Sequence, residues 1–122
     1  MTDTFYITTP IYYVNSHPHI GHAYTTIVTD VLTRFRKLFG DDTYFLTGTD
    51  EHGQKIQKAA EKKGLDPLIY CDKISKIFKD LTKKLNLSND DFIRTTEKRH
   101  HKSVNDLWDR LVKSGDIYLS KY

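Results

Sequence analysis

The chain has 122 residues, 38% of them hydrophobic and 29% charged, which fits one compact folded domain and excludes a disordered or membrane-embedded protein, since no apolar run approaches the ~20 residues of a span. The formal net charge of +3 is split, with 3 Lys/Arg against 6 Asp/Glu in residues 1–54 and 16 against 10 in residues 55–122; the basic half, Lys55, Lys58 and the pair His100-His101 included, reads as solvated helix faces. A single cysteine, Cys71, excludes an internal disulfide and fits helix packing in a reducing cytoplasm, and the start Met1-Thr2-Asp3-Thr4 lacks the basic and apolar regions of an export signal.

Phe5-Tyr6-Ile7-Thr8-Thr9 is β-branched and aromatic and is followed by Pro10, which predicts a short strand ending near Thr9. A loop runs through Asn15, Ser16 and Pro18. From His19 to Phe39 apolar residues recur at three- and four-residue steps (Ile27, Val28, Val31, Leu32, Phe35, Leu38, Phe39), with Gly40 as the stop, so a long helix with that stripe inward is expected. Thr43–Thr47 reads as a second strand, Gly48-Thr49-Asp50 as its exit, and Gln54–Lys63 as a helix stopped by Gly64.

Asp66-Pro67 is an N-cap with proline at the first helical position, and Ile74, Ile77, Phe78, Leu81 and Leu85 form the buried stripe of the helix that follows. Asp91–Thr95 is a third strand. A last helix runs from about Glu97 to Ser114, with Val104, Leu107, Trp108, Leu111 and Val112 inward and Gly115 as its stop, and Ile117-Tyr118-Leu119 looks like the start of another strand. Strands alternating with helices imply an α/β fold with a parallel sheet, whose ligands bind at the C-terminal ends of the strands. His19 and Asp50 both fall there.

Within His19-Ile20-Gly21-His22 the two imidazoles share one face of a first helical turn, beside unpaired amides and the positive end of the helix dipole, a setting that suits a polyphosphate. Gly21 leaves room for a flat ligand such as a purine to approach the backbone. The bland reading of either histidine is a satisfied polar residue at a helix start, and that of Asp50 is an N-cap before Glu51. His17, His19 and His22 also have the spacing of an open metal site, but no carboxylate bridge or barrel-length sequence completes one, and no metal ligand is assigned.

The block Pro10-Ile11-Tyr12-Tyr13-Val14-Asn15-Ser16-His17-Pro18-His19-Ile20-Gly21-His22, read together with Gly48-Thr49-Asp50-Glu51-His52-Gly53, resembles the methionyl-tRNA synthetases among class I aminoacyl-tRNA synthetases. The first block is similar to the class signature in its methionine-type form and the second to the family's T-D-E-H-G segment; the flanking pattern extends the resemblance over essentially all 122 residues. It implies the first half of a Rossmann-like nucleotide-binding catalytic domain over residues 1–115, with 116–122 starting a connective insertion.

By the same resemblance Pro10, Ile11 and Tyr13 bind methionine, Ile11 through its backbone and Tyr13 through its ring, with a core or surface aromatic as the alternative for Tyr13. Asp50 binds the methionine ammonium. Asn15, His19, Gly21 and His22 bind ATP, with His19 and His22 as the catalytic pair, and Glu51 and His52 stand behind the site. The implied activity is methionine–tRNA ligation in protein biosynthesis: methionyl-adenylate forms from methionine and ATP, with Mg2+ accompanying the nucleotide, and the methionyl group passes to tRNA(Met). No membrane or DNA partner is implied, the place is the cytoplasm, and any zinc site lies downstream. The family's K-M-S-K-S loop and anticodon-binding domain are not in these residues, so the chain is expected to be an N-terminal fragment with little or no activity of its own. The alternatives are a small nucleotidylyltransferase, which shares an H-x-G-H phosphate site, and a non-catalytic RNA- or partner-binding fragment.

Overall fold

The computed structural model describes residues 2–121. Its elements are β1 (Thr4–Thr8), β2 (Tyr12–Tyr13), α1 (Ile20–Leu38), β3 (Asp42–Asp50), α2 (Gln54–Glu61), α3 (Pro67–Lys84), β4 (Asp91–Arg94) and α4 (Lys98–Ser114). All strand pairs are parallel. Leu46 pairs with both β1 and β4, and Thr49 with both β2 and β4, so β1 and β2 run along one edge of β3 and β4 along the other. The α/β class and the parallel sheet are as the sequence predicts.

Three expectations about the strands are corrected. β3 continues through Gly48 to Asp50 instead of ending at Thr47. Gly48 is paired with Ile93, and a Cβ on it would stand 2.0 Å from the Ile93 carbonyl oxygen; the glycine that reads as a strand exit is what lets β4 approach. The two-residue β2 lies in the predicted loop, too short to show a period of its own. Residues 117–119 form no strand.

The core lies between the sheet and the helices α2 and α3, where Val14, Ile56, Ala60, Tyr70, Cys71, Ile74, Phe78 and Phe92 form one buried cluster. Cys71 packs there as expected, and burial pushes its thiol up to about 11, which leaves it inert. Asp66 caps α3, its Oδ1 accepting from the amides of Leu68 (2.9 Å) and Ile69 (3.2 Å). α1 lies beside α3, joined to the turn after it by Asp30, whose Oδ1 accepts from the Ser88 amide at 2.5 Å and hydroxyl at 2.6 Å.

α1 is turned the opposite way from expectation. Its buried residues are Thr26, Thr29, Asp30 and Thr33, while Ile27, Val28, Val31, Leu32, Phe35, Leu38 and Phe39 are exposed. The threonines tolerate burial because each hydroxyl is satisfied locally: Thr26, Thr29 and Thr33 donate to the carbonyls of His22, Thr25 and Thr29. α4 likewise buries no residue, and Val104, Leu107, Trp108 and Val112 stand exposed against the inward expectation. The periodicity marks the faces that seek cover, and no described residue supplies that cover.

Candidate functional site

The first turn of α1 is closed by its own histidines. The amide of Gly21 donates to His19 Nδ1 at 3.1 Å, the amide of His19 donates to His22 Nδ1 at 3.1 Å, and the ring centroids are 3.8 Å apart. The His22 amide is bonded to the His19 carbonyl at 3.0 Å. The amides of Gly21 and His22, expected to be unpaired, are therefore already engaged here. An Nδ1 that accepts carries no proton, so each neutral ring bears its hydrogen on Nε2. The turn presents two Nε2–H donors to an anion.

Gly21 serves this arrangement: a Cβ there would sit 2.9 Å from His19 Cε1 and would push the ring out of its cap. His22 is held further by aromatic contacts, edge-on to Tyr12 (centroids 4.7 Å apart) and to Phe78 (5.2 Å). Tyr12 in turn stacks on Phe78 and shares a 2.8 Å hydrogen bond with Thr26. The cavity among Tyr12, His22, Thr26, Thr47 and Phe78 has about 10 Å³, room for no more than a single water. Burial, and after it the neighbouring His19, lowers the pKa of His22, which keeps it neutral. The sequence alone did not single out Tyr12 or Phe78 as supports of His22; aromatic spacing on two separate elements carries no such signal.

The second motif meets the first through the β2–β3 ladder. Tyr13 is the register partner of Asp50, and the Val14 amide is bonded to the Asp50 carbonyl at 3.4 Å. Paired residues in a parallel ladder project to the same side, so the half-exposed phenol and the carboxylate stand next to each other. Tyr13 is thus an aromatic of the surface. Asp50 does not cap a helix, since α2 starts at Gln54 with Gly53 as its N-cap. Its carboxylate accepts the His52 amide at 3.4 Å, and among the described residues no Lys or Arg pairs with it. An unpaired carboxylate at a strand end is a natural seat for an ammonium group.

Pro10 and Ile11 are exposed in the break between β1 and β2, leading directly into Tyr13. The exposed Asn15 follows, its carbonyl accepting the Tyr70 hydroxyl at 3.0 Å, which ties this loop to α3. His52 is turned away from the histidine pair, its Nε2 within 3.2 Å of the Thr95 carbonyl and its ring 6.1 Å from that of His101. His17 does not join His19 and His22 in a cluster: among the described residues no three His, Cys, Asp or Glu side chains are grouped to hold a metal ion.

Glu51 is buried, and its partners were not legible in the sequence. Arg94 at the end of β4 reaches its carboxylate through Nε (2.7 Å) and Nη2 (2.9 Å), and the hydroxyls of Thr49 (2.7 Å) and Thr96 (2.6 Å) donate to it. Burial alone would raise its pKa, but the bonds from Arg94, Thr96 and Thr49 outweigh it and hold the carboxyl below its usual range. An arginine closing the short strand Asp91–Arg94, followed by two threonines, was the available hint.

Comparison with known proteins shows the family and the fold. The family model described as tRNA synthetases class I (M) matches residues 5–122. The methionine–tRNA ligase of Rickettsia typhi is 57% identical over all 122 residues, and the chain spans 24% of its length. Among solved structures, the Mycobacterium tuberculosis methionyl-tRNA synthetase in complex with methionyl-adenylate superposes with a TM-score of 0.96 at 45% identity, covering 99% of this chain and 24% of that one. The LeuRS of an Agrobacterium radiobacter ternary complex, at 24% identity and a TM-score of 0.86 over 96% of this chain and 15% of its own, shares the fold.

Proposed function

The chain belongs to the class I tRNA synthetases of the methionine type, and on that premise we propose that it supplies the methionine- and ATP-binding part of a methionine–tRNA ligase. The observation that carries this reading is the juxtaposition at one end of the sheet: a carboxylate without a cationic partner, Asp50, beside Tyr13, and two imidazoles fixed as Nε2–H donors one strand connection away. Asp50 takes the methionine ammonium. Pro10, Ile11 and the ring of Tyr13 line the side chain, since a thioether is recognised by packing and polarizable aromatic contact. Asn15, His19, Gly21 and His22 take the nucleotide.

A methionine carboxylate oxygen attacks the α-phosphorus of ATP. The new O–P bond gives methionyl-adenylate, and cleavage of the bond to the bridging oxygen releases pyrophosphate. The protein's part in such a displacement is in-line positioning and stabilisation of the charge on the phosphoryl oxygens, which His19 and His22 provide as Nε2–H donors. Mg2+ would come to this step with ATP and offset the negative charge of its phosphates. A hydroxyl of the 3′-terminal ribose of tRNA(Met) then attacks the carbonyl carbon of the adenylate, forming the ester bond as the acyl–phosphate bond breaks and AMP leaves. The reaction belongs in the cytoplasm, in keeping with a lone buried thiol; among the described residues no helix is long and apolar enough to cross a membrane.

Because the chain spans about a quarter of its relatives, the test uses a chimera in which it replaces the matching part of the Rickettsia typhi ligase. Calorimetry with a non-hydrolysable methionyl-adenylate analogue should give tight binding, weakened by about 2 kcal/mol or more in Asp50→Ala, the scale of a lost charged hydrogen bond. Equal affinity in Asp50→Ala and in the parent would overturn the assignment of the ammonium seat.

A further inference from the structure

Asp50 is the last residue of β3, and consecutive residues at a strand end point to opposite sides. Where Asp50 faces outward, Glu51 faces inward, with its side chain 0% exposed. We propose that Glu51 and Arg94 form a positioning pair that fixes the strand exit bearing Asp50, and so sets where the ammonium group of the amino-acid substrate is held. The inference rests on the reading of Asp50 as the ammonium seat.

The Glu51 carboxylate has four donors, Arg94 Nε and Nη2 and the hydroxyls of Thr49 and Thr96, which fill the acceptor sites of a carboxylate. Thr49 gives its one hydroxyl proton to Glu51, so in its 2.9 Å contact with Ser75 of α3 it is the acceptor. Arg94 Nη2 also reaches Asp72 of α3 at 2.6 Å. The backbone of Glu51 is held as well: its amide donates to Thr95 Oγ1 at 2.9 Å, and its carbonyl accepts from Cys71 Sγ at 3.7 Å. The residue after Asp50 is thus tied to β4, to the turn beyond it and to α3.

A buried ion pair is a poor way to add stability, because desolvating both charges offsets most of their attraction, and an apolar pair of equal volume does as well. Its directional bonds do something an apolar pair cannot, which is to define one orientation of the backbone they hold. That definition passes to Asp50 through one peptide unit, and it is needed there because the ammonium must be placed while the carboxylate of the same substrate is aimed at phosphorus.

The test measures methionine-dependent exchange of labelled pyrophosphate into ATP in the chimera, with separate KM values for methionine and ATP and a melting curve for each variant. Glu51→Gln is expected to raise the methionine KM about tenfold or more with the ATP KM within about twofold, Arg94→Lys to raise it by less because it keeps the charge while losing the two-pronged contact, and Thr96→Val, which removes one donor of four, to raise it about two- to threefold. Thr96→Val leaves the ion pair in place and answers the question even where Glu51→Gln does not fold. Folded variants with an unchanged methionine KM, or with methionine and ATP KM rising together, overturn the positioning pair. An unsubstituted chimera without methionine-dependent exchange overturns instead the activation reading on which it rests.

Discussion

α1 and α3 are the two long helices on one face of the sheet, 19 and 18 residues in length, and they use their apolar stripes in opposite ways. α3 turns Ile74 and Phe78 into the core, and Phe78 is 3% exposed. α1 turns threonines and Asp30 inward and leaves Phe35 53% exposed. Their caps differ in the same sense. α3 starts on a carboxylate that does nothing but cap, whereas α1 starts on two imidazoles that cap with Nδ1 and keep Nε2–H for another partner. One helix is built for the inside of this chain, and the other for what meets it from outside.

Substitutions can break that contrast. Phe78→Ala should destabilise the chain by about 3–5 kcal/mol in denaturant unfolding, the usual cost of emptying a buried aromatic site. Phe35→Ala should stay within about 0.5 kcal/mol in the isolated chain. In the chimera, where the outer face of α1 is expected to be covered, the same change should cost about 2–4 kcal/mol; equal effects in both proteins would show that α1 exposes its stripe for some other reason.

The two caps sharpen it further. In the chimera Gly21→Ala should lower the exchange rate about 10–100-fold by displacing the His19 ring, with little change in stability, because the alanine gains roughly the ~1 kcal/mol in helix propensity that the cap loses. Asp66→Ala should do the reverse, costing about 1 kcal/mol and leaving exchange unchanged. A slow Asp66→Ala or a fast Gly21→Ala would erase the distinction.

The smallest effect is on pH. His22 has a folded pKa below its ordinary 6.5. The unfolded chain therefore takes up this proton first, so the contribution of His22 to stability is complete above about pH 6.5 and is lost as pH falls through the lowered folded value. Nitrogen-15 spectra of labelled histidine should show both rings of the pair as Nε2–H tautomers at neutral pH, with the cap opening on acidification. An Nδ1–H signature at neutral pH would contradict the cap.

Local chemistry was legible in the sequence wherever it acts over a few residues. Asp66-Pro67 announced the start of α3, β-branched and aromatic runs gave β1 and β4, and His19, His22 and Asp50 fell at strand ends and a helix start as read. What stayed hidden depends on partners distant in the chain. Periodicity located α1 and α4 but not their cover, which no described residue provides. Gly48 looked like an exit because its partner, Ile93, lies on a strand far along the chain. The hold of Arg94 on Glu51 spans 43 residues and has no local trace. The site was therefore readable as a set of candidate residues and unreadable as the framework that holds them.

The most direct measurement is methionine-dependent exchange of labelled pyrophosphate into ATP, run on the chain alone, on the chimera, and on the chimera carrying Asp50→Ala or His22→Ala. The account predicts exchange in the chimera and little or none in the chain alone, a steep rise of the methionine KM in Asp50→Ala, and a loss of rate exceeding the change in methionine KM in His22→Ala. Undiminished exchange in both variants, or none in the chimera, would contradict it.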